Sequence, residues 1–421
     1  MKICLISQEY PPDTAWGGIG THTWVKARAL ARLGHEVHVL SRARDLGPAM
    51  HTEVQDGVTV HRMQPPGFDF PIYGKPLYLL GYTWRVLEAL YGLMQHTEFD
   101  VLDFPDYGGE GFAYLLDRTL WNWVPTVVQL HGPLAMFAQY MGWPEPRSRL
   151  HEIGTFMEGF SLRNADAIMA CSACVAELAE RYYGIPRQSI DVVYCGVDTT
   201  LFCPPPTPVA PPTRPTVLFV GNIIENKGAH VVAEAVLALR RKHPEVLLRM
   251  IGSGREVPER IAARFREEGA EESLDLAGFV ALERLPECYR QAHVFCAPAA
   301  EYEGFGQVYI EAMGCACPAI ASTAGGGSEA VVDGETGLVV PPNDVPATAQ
   351  AIDRILSDDG LRRRMSAAGP RHVAERFAMD KYIGRVLAAY EKAIDFCRRM
   401  PEEAKDQSDW EVPYHYTRRP T

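Results

Sequence analysis

The sequence predicts an α/β protein built from two doubly wound parallel sheets. Three observations lead to this prediction: short apolar runs alternate with amphipathic segments, a proline-rich segment interrupts the alternation near residue 200, and the alternation then starts again. A chain of 421 residues is long enough for two domains of ordinary size. Short strands separated by helices require crossover connections, which cover both faces of each sheet.

The first predicted domain, residues 1–200, begins with the apolar strand Lys2–Ser7. A glycine loop, Gly17-Gly18-Ile19-Gly20, then leads into an amphipathic helix over Thr21–Leu33, and Gly34 stands where a helix C-cap is expected. Further strands are predicted at Val37–Leu40, Val58–His61, Val101–Phe104, Val127–Leu130, Ala167–Ala170 and Asp191–Val193.

Residues 201–215 are rich in proline, which predicts a semi-rigid linker because proline is poorly tolerated inside packed elements. The second predicted domain covers 216–379, followed by an amphipathic helix over 380–400 and a polar tail over 401–421. Its first helix is expected from Ala229 to Lys242. Its strands are expected at Val217–Val220, Val246–Ile251, Leu274–Phe279, Val294–Ala297, Pro318–Ala321 and Gly337–Val340.

Composition narrows the function classes. Lys and Arg number 41 against 53 Asp and Glu, so the formal net charge is −12, which is untypical of a nucleic-acid binder. No apolar run reaches the roughly 18 residues that span a bilayer, and peripheral membrane contact has no support in the sequence. Ten cysteines without a disulfide-like framework predict reduced thiols and a cytoplasmic protein. For Cys171-Ser-Ala-Cys174, small apolar packing is the interpretation and a redox pair the alternative.

The most informative segment runs from Glu303 to Glu311, where two glutamates flank Gly-Phe-Gly at a predicted strand-to-helix switch. The helix is expected to begin near Gln307, and the free N–H groups at a helix start bind anions. Carboxylates accept hydrogen bonds from the paired hydroxyls of a ribose or a hexose. Either glutamate alone would be an ordinary helix-end or surface charge, whereas the pair at this spacing indicates a ligand site.

Glu303-x7-Glu311, with Gly325-Gly-Gly-x-Glu329 and Gly334-x-x-Gly-Leu-Val-Val-Pro-Pro342, resembles the nucleotide-sugar half of the family 4 retaining glycosyltransferases. The resemblance covers residues 1 to about 397. It implies the GT-B fold, with two facing Rossmann-like domains, a cleft between them and a last helix that crosses back to the first domain. It also implies an enzyme that moves a hexose from a UDP- or GDP-sugar to an unidentified hydroxyl acceptor with retention of configuration. No metal and no cofactor are implied, because the nucleotide sugar is a co-substrate.

The resemblance also assigns site residues. It places Glu303 and His131 on the donor hexose, Lys227 on the diphosphate and Glu311 on the nucleotide ribose. His131, Glu303 and Lys227 are therefore the expected catalytic residues. The expected donor-binding residues are Gly18, Asn222, Phe305, Gly306, Gln307 and Glu311.

Two parts of the site are less well defined by the sequence. Asn222 stands where family members usually have an arginine that grips the diphosphate, and it brings a donor group but no charge. Arg255 is a candidate replacement, but an exposed turn arginine is the favoured interpretation. On the acceptor side, Asp103, Asp106 and Tyr107 end a predicted strand, although this segment is also rich in turn-forming residues.

Two other functions remain open at this point. One is a nucleotide-sugar 2-epimerase or hydrolase on the same fold, which would need acid and base residues around the hexose C2 and C3. The other is a non-catalytic nucleotide-sugar-binding protein. No acid and base residues are assigned around C2 and C3, which argues against the first. The presence of His131 together with Glu303 and Lys227 argues against the second.

Overall fold

The computed structural model describes residues 1–14, 18–45, 49–65, 77–119, 122–205 and 214–399. Three features predicted from the sequence lie wholly or partly outside the described residues: Gly17, the middle of the proline-rich linker at 206–213, and the tail 401–421. In the described part of the chain, no helix is long and apolar enough to cross a membrane.

The first half of the chain forms an eight-stranded sheet in the order β3-β4-β2-β1-β5-β6-β7-β8. Its strands are β1 (Lys2–Ser7), β2 (Glu36–Arg42), β3 (Met50–Gln55), β4 (Val58–Met63), β5 (Val101–Pro105), β6 (Thr126–Leu130), β7 (Ala167–Ala170) and β8 (Ile190–Val192). The helices between them are α1 (Gly18–Arg32), α2 (Tyr78–Met94), α3 (Phe112–Asp117), α4 (Leu134–Met141), α5 (Arg149–Asn164) and α6 (Ala173–Tyr183).

The second half forms a six-stranded sheet in the order β11-β10-β9-β12-β13-β14, with every neighbouring pair parallel. Its strands are β9 (Thr216–Val220), β10 (Leu247–Ile251), β11 (Leu274–Gly278), β12 (Val294–Cys296), β13 (Ala319–Ser322) and β14 (Gly337–Val340). The helices are α7 (Ala229–Leu239), α8 (Val257–Glu267), α9 (Leu285–Arg290), α10 (Gln307–Gly314), α11 (Gly327–Ala330), α12 (Val345–Ser357), α13 (Asp359–Arg376) and α14 (Met379–Arg398).

Both sheets reverse their strand order beside their first strand, β1 in one and β9 in the other. This is the doubly wound, Rossmann-like arrangement that the sequence predicts. In such sheets, ligands bind outside the carboxyl ends of the strands at the reversal point. The turns after β9 and β12 are therefore where the second sheet should hold a ligand.

One strand departs from the all-parallel prediction. β3 is absent from the predicted strands and pairs antiparallel with β4, with Gln55 opposite Val58. The two-residue connection, Asp56-Gly57, has φ values of 51° and 80°, which suits a tight hairpin between twisted strands. The Asp-Gly pair was the sequence signal for this hairpin.

Smaller differences concern element ends. The prediction of a loop over Gly17-Gly18-Ile19-Gly20 is partly wrong, because α1 already begins at Gly18. A Cβ at Gly20 would lie 2.8 Å from that of Glu9, so close packing against the preceding segment explains this glycine. α7 ends at Leu239 rather than Lys242, and β8 begins one residue earlier than predicted.

By its contacts the chain divides into two compact units that are each discontinuous in sequence. The first comprises Met1–Val128, Phe156–Ile168 and the described chain from Ala388, which is the second half of α14. The second comprises Gln129–Thr155 and Met169–Leu387.

Two stacked histidines are buried in the first unit, and they predict acid sensitivity. His38 of β2 and His61 of β4 lie with ring centroids 5.2 Å apart, and Nδ1 of His38 is 2.9 Å from Nε2 of His61. The pKa of His61 is lowered to about 4, mainly by burial and to a smaller extent by the neighbouring His38. An unfolded histidine has a pKa of about 6.5, so the unfolded chain binds the extra proton first. The stability that neutral His61 provides is complete above pH 6.5 and is lost as the pH falls toward 4.

We expect this histidine to lower the free energy of unfolding by about 2 kcal/mol between pH 6.5 and pH 5. Urea unfolding at the two pH values measures the loss. His61→Gln keeps hydrogen-bonding groups without a proton to gain, so it should reduce that loss. His51→Gln, at an exposed histidine on β3, serves as the control. An unchanged pH dependence in His61→Gln would show that His61 is not the titrating group.

Candidate functional site

The structure brings two of the three expected catalytic side chains into contact. Nζ of Lys227 donates to Oε2 of Glu303 over 2.6 Å, with side-chain exposures of 33% and 15%. Lys227 ends a one-turn 3-10 helix after β9, and Glu303 follows β12. Gly228 closes that turn at φ 73°, and a Cβ there would lie 2.0 Å from the carbonyl oxygen of Pro298. Only glycine fits, so the backbone sets the direction of Lys227.

Asn226, which the sequence analysis missed, fixes the two loops that carry this pair. Its side-chain amide donates to the carbonyl of Tyr302 over 3.1 Å, and its side-chain oxygen accepts from the Tyr302 N–H over 3.3 Å. The N–H of Ala300 also donates to the Asn226 carbonyl over 2.8 Å. These bonds join segments 76 residues apart, and no local pattern in the sequence indicates them.

The segment after Glu303 is packed backbone against backbone. The Gly326 N–H donates to the Glu303 carbonyl over 2.8 Å. A Cβ at Gly325 would lie 2.1 Å from that carbonyl oxygen, and one at Gly326 would lie 2.3 Å from the Gly304 oxygen. The glycines at 304, 325 and 326 therefore hold the Glu303 loop in a fixed position, which explains the Gly325-Gly-Gly motif.

His131 lies beside the same loop. It directly follows β6, and its carbonyl oxygen is so close to Gly304 that a Cβ there would be 2.6 Å away. Sγ of Cys171 lies 3.7 Å from the same carbonyl oxygen. The backbone of the third expected catalytic residue is thus placed against the loop that carries Glu303.

Two side chains attach helix α6 to its neighbours, one to the Glu303 loop and one to helix α11. Ser172, the N-cap of α6, donates to the Gly304 carbonyl over 2.6 Å and accepts from the Val175 N–H. Glu329 accepts from the N–H groups of Ala173 and Cys174, each over 2.8 Å. A carboxylate at a helix N-terminus is favoured by the helix dipole, so Glu329 holds α11, which directly follows Gly325 and Gly326, to the start of α6. Glu329 was part of the recognised motif, but its partner was not predicted.

Helix α10 begins at Gln307, as the sequence predicts, with Gly306 as its N-cap at φ 81°. A Cβ at Gly306 would lie 2.2 Å from the ring of Tyr309, so glycine is required there. The Phe305 side chain is buried against Tyr194 and Phe377, and donor binding by its backbone stays a prediction. The side chain of Gln307 donates to the carbonyl of Gly196 over 3.2 Å.

Glu311 lies farther along α10 and is 6% exposed. The hydroxyl of Tyr289 donates to its Oε2 over 2.9 Å. Burial raises the pKa of Glu311 to about 7, and the Tyr289 hydrogen bond acts in the opposite direction. Tyr289 was not singled out from the sequence, where a tyrosine in a short helix carries no signal of its own.

Asn222 and Arg255 are both exposed. Asn222 follows Gly221 at the end of β9. Gly252 packs so closely against Gly221 that a Cβ at Gly252 would lie 1.9 Å from the Gly221 carbonyl oxygen. Neither side chain has a contact that defines its role, so donor binding by Asn222 stays a prediction.

The expected acceptor residues lie in the first unit, where their contacts are structural. Asp103 of β5 forms a buried ion pair with Lys26 of α1 over 2.7 Å, and the Tyr390 hydroxyl donates to the same carboxylate. Asp106 is also buried, and burial raises the pKa of Tyr107 well above its usual value. The Asp103 carboxylate is thus engaged within the unit, and acceptor binding by these three residues stays a prediction.

The second unit therefore gathers a cation in the turn after β9 and, along the segment after β12, a carboxylate, a helix N-terminus and a second carboxylate. A cation and free N–H groups suit a phosphate, and carboxylates suit sugar hydroxyls. The arrangement is suited to a ligand that joins a phosphate to sugars on both sides.

Comparison with known proteins gives consistent matches. Residues 16–201 match the model of Glycosyltransferase Family 4, and residues 206–372 match that of Glycosyl transferases group 1. The chain is 31% identical over 398 residues to a D-inositol 3-phosphate glycosyltransferase of Xylanimonas cellulosilytica, covering 90% of this chain and 92% of that protein. It is 27% identical over 405 residues to a glycogen synthase of Mycobacterium tuberculosis, covering 90% and 91%. Its structure resembles that of sucrose-phosphate synthase from Thermosynechococcus elongatus, with a TM-score of 0.77, 25% identity and coverage of 94% and 99%.

Proposed function

Because this chain belongs to glycosyltransferase family 4 and has the GT-B fold of that family, we propose that it transfers a hexose from a nucleoside-diphosphate sugar to a hydroxyl acceptor. The proposed donor is a UDP- or GDP-sugar, and the proposed reaction retains the anomeric configuration. It uses no metal and no cofactor. Ten free thiols support a cytoplasmic location for this reaction.

The observation that carries the donor assignment is the 2.6 Å contact between Lys227 and Glu303. In a nucleotide sugar, the hexose carbon that reacts is bonded through one oxygen to the terminal phosphate. The protein groups that bind the phosphate and the hexose hydroxyls must therefore be close neighbours. Lys227 and Glu303 meet this requirement, and Glu311 farther along α10 is suited to the ribose.

In the proposed mechanism, the protein positions the donor and stabilises charge, without forming a covalent intermediate. Lys227 and the N–H groups at the start of α10 stabilise the diphosphate as it gains charge. Glu303 and His131 hold the hexose, and the acceptor hydroxyl attacks from the face that the diphosphate leaves. The departing diphosphate accepts the acceptor proton, so the reaction needs no protein base at that step.

The acceptor stays open. The similar proteins are named for different products or acceptors: an inositol phosphate, glycogen and sucrose phosphate. We propose a hydroxyl acceptor and assign no class to it beyond that.

A panel of nucleotide sugars, incubated with pooled sugar and sugar-phosphate acceptors and followed by mass spectrometry, tests the proposal. Release of free nucleoside diphosphate together with a glycosylated acceptor is expected. An epimerised sugar would indicate the epimerase or hydrolase instead. Binding of a nucleotide sugar with no turnover in any acceptor pool would indicate a non-catalytic binding protein.

Metal removal is a separate prediction. Since Lys227 and the N–H groups at the start of α10 are assigned to the diphosphate charge, we expect the transfer rate to stay within about twofold in excess EDTA. The rate is measured with and without chelator, and again after magnesium is added. A rate that is lost in EDTA and restored by magnesium contradicts the metal-independent mechanism.

A further inference from the structure

Tyr289 and Glu311 form a buried hydrogen-bonded pair that family membership alone does not explain. The Tyr289 side chain is fully buried, and its hydroxyl donates to Oε2 of Glu311 over 2.9 Å. Its ring packs edge-on against Phe202 and Phe295, with centroids 6.2 and 5.7 Å away. Because the ring is held on both sides, the hydroxyl has a fixed direction.

The surroundings of this pair contribute little charge. Cys315 and Cys317 are the other titratable groups near Tyr289, and both are buried thiols. Arg290 and Glu287 act on the pKa of Cys315, in opposite directions, and Arg290 donates to the carbonyl of Cys203 over 2.9 Å. In the described part of the chain, the Tyr289 hydroxyl is the one group that offsets the effect of burial on Glu311.

We propose that Tyr289 is a positioning residue for the nucleotide: its hydroxyl occupies one oxygen of Glu311 and leaves the other to accept from the ribose hydroxyls. This inference rests on the proposed function, in which Glu311 binds the ribose. It assigns the ribose end of the site a second residue, 22 positions earlier in the chain and on a different helix.

The charge state of Glu311 makes the proposal testable, because it should make nucleotide affinity depend on pH. A carboxylate accepts hydrogen bonds from both ribose hydroxyls. A protonated carboxyl carries a hydrogen on one oxygen, so it acts as a donor at that oxygen and accepts fewer hydrogen bonds. Burial raises the pKa of Glu311 to about 7, so near neutral pH the free protein holds a mixture of the two forms. Nucleotide binding selects the charged form and releases a proton, and affinity should therefore rise with pH through 7. Without the Tyr289 hydroxyl, the charged form loses a hydrogen bond and the rise moves to higher pH.

Tyr289→Phe removes the hydroxyl and keeps the ring, and Tyr114→Phe removes a buried hydroxyl in the first unit as the control. Calorimetry with UDP and with GDP between pH 6 and pH 9 gives the affinity of each variant. The nucleotide's own phosphate titrates in this range and affects every variant equally. The ratio of the wild-type affinity to the variant affinity therefore reports only the titration of the protein. We expect Tyr289→Phe to bind about tenfold more weakly at pH 6.5, with the difference shrinking above pH 8. Tyr114→Phe should match the wild type throughout.

Each outcome decides the inference. If the ratio of the nucleotide affinities of wild type and Tyr289→Phe is constant across the pH range, the positioning role of Tyr289 is overturned and the proposed function stays intact. Failure of both UDP and GDP to bind the wild-type protein overturns the proposed function as well. If Tyr289→Phe does not fold, Glu311→Gln takes its place and should abolish the protein's share of the pH dependence. Retention of the wild-type pH profile in Glu311→Gln overturns the inference.

Discussion

Lys227→Met should lower kcat about a hundred- to a thousandfold and weaken the binding of the nucleoside diphosphate. The lysine is the cation that the structure places at the turn after β9, where the diphosphate is expected to gain charge as the bond breaks. Removing it also leaves Glu303, only 15% exposed, without its partner. Steady-state rates and calorimetry with the nucleoside diphosphate measure the two effects.

Lys242→Met is the matched control, because Lys242 forms an exposed ion pair with Asp353 on the surface of the same unit. Exposed pairs contribute little to stability, so this variant should keep the wild-type rate. A value of kcat/KM within threefold of wild type in Lys227→Met would remove Lys227 from the mechanism.

Glu303→Gln should lower kcat ten- to a hundredfold, because one charged hydrogen bond to the hexose contributes about 1.5–3 kcal/mol. The hexose carries the carbon that becomes cationic, so these contacts strengthen as the bond breaks and act on kcat. Affinity for the bare nucleoside diphosphate should stay within a few fold of wild type. In Glu303→Gln, Lys227 keeps its charge and loses its carboxylate partner, so it can still bind the diphosphate.

Glu301→Gln provides the control for this variant, since Glu301 is exposed in the same loop. Initial rates with a saturating donor give kcat for both variants. Equal loss in the two variants would mean that the loop, and not the Glu303 carboxylate, is responsible.

Much of the fold follows from local patterns. Largely apolar runs of three to six residues predict thirteen of the fourteen strands in the described chain, because a strand buried on both faces needs apolar side chains, as most of these strands have. The start of α10 was predicted at Gln307 for a similar reason, since Gly306 before it permits a conformation that other residues avoid. β3 is half exposed and lacks an apolar run, and so only its Asp-Gly turn indicated it.

The site was predictable where its residues lie close together in sequence. Glu303 and Glu311 share one strand-to-helix segment, and their spacing carried the prediction. The contact of Glu303 with Lys227 spans 76 residues, and that of Glu329 with the start of α6 spans about 155. Contacts of this kind depend on packing between elements, which no local pattern encodes.

Asp103 shows the opposite case. Its place at a strand end predicts a ligand contact, which stays a prediction, and the structure pairs its carboxylate with Lys26, 77 residues away, and with Tyr390, 287 residues away. A buried carboxylate needs such partners, since an unpaired charge in the interior is strongly destabilising. A polar residue at a strand end thus has two uses, and only its distant neighbours distinguish them.

In the proposed mechanism the donor is divided between two glutamates, with the ribose bound by Glu311 and the hexose by Glu303. Calorimetric titration of wild type, Glu303→Gln and Glu311→Gln with one nucleoside diphosphate at pH 8 tests it most directly. We expect Glu311→Gln to lose about ten- to a hundredfold in affinity, while Glu303→Gln stays within a few fold of wild type. Equal losses of affinity in the two variants would contradict it.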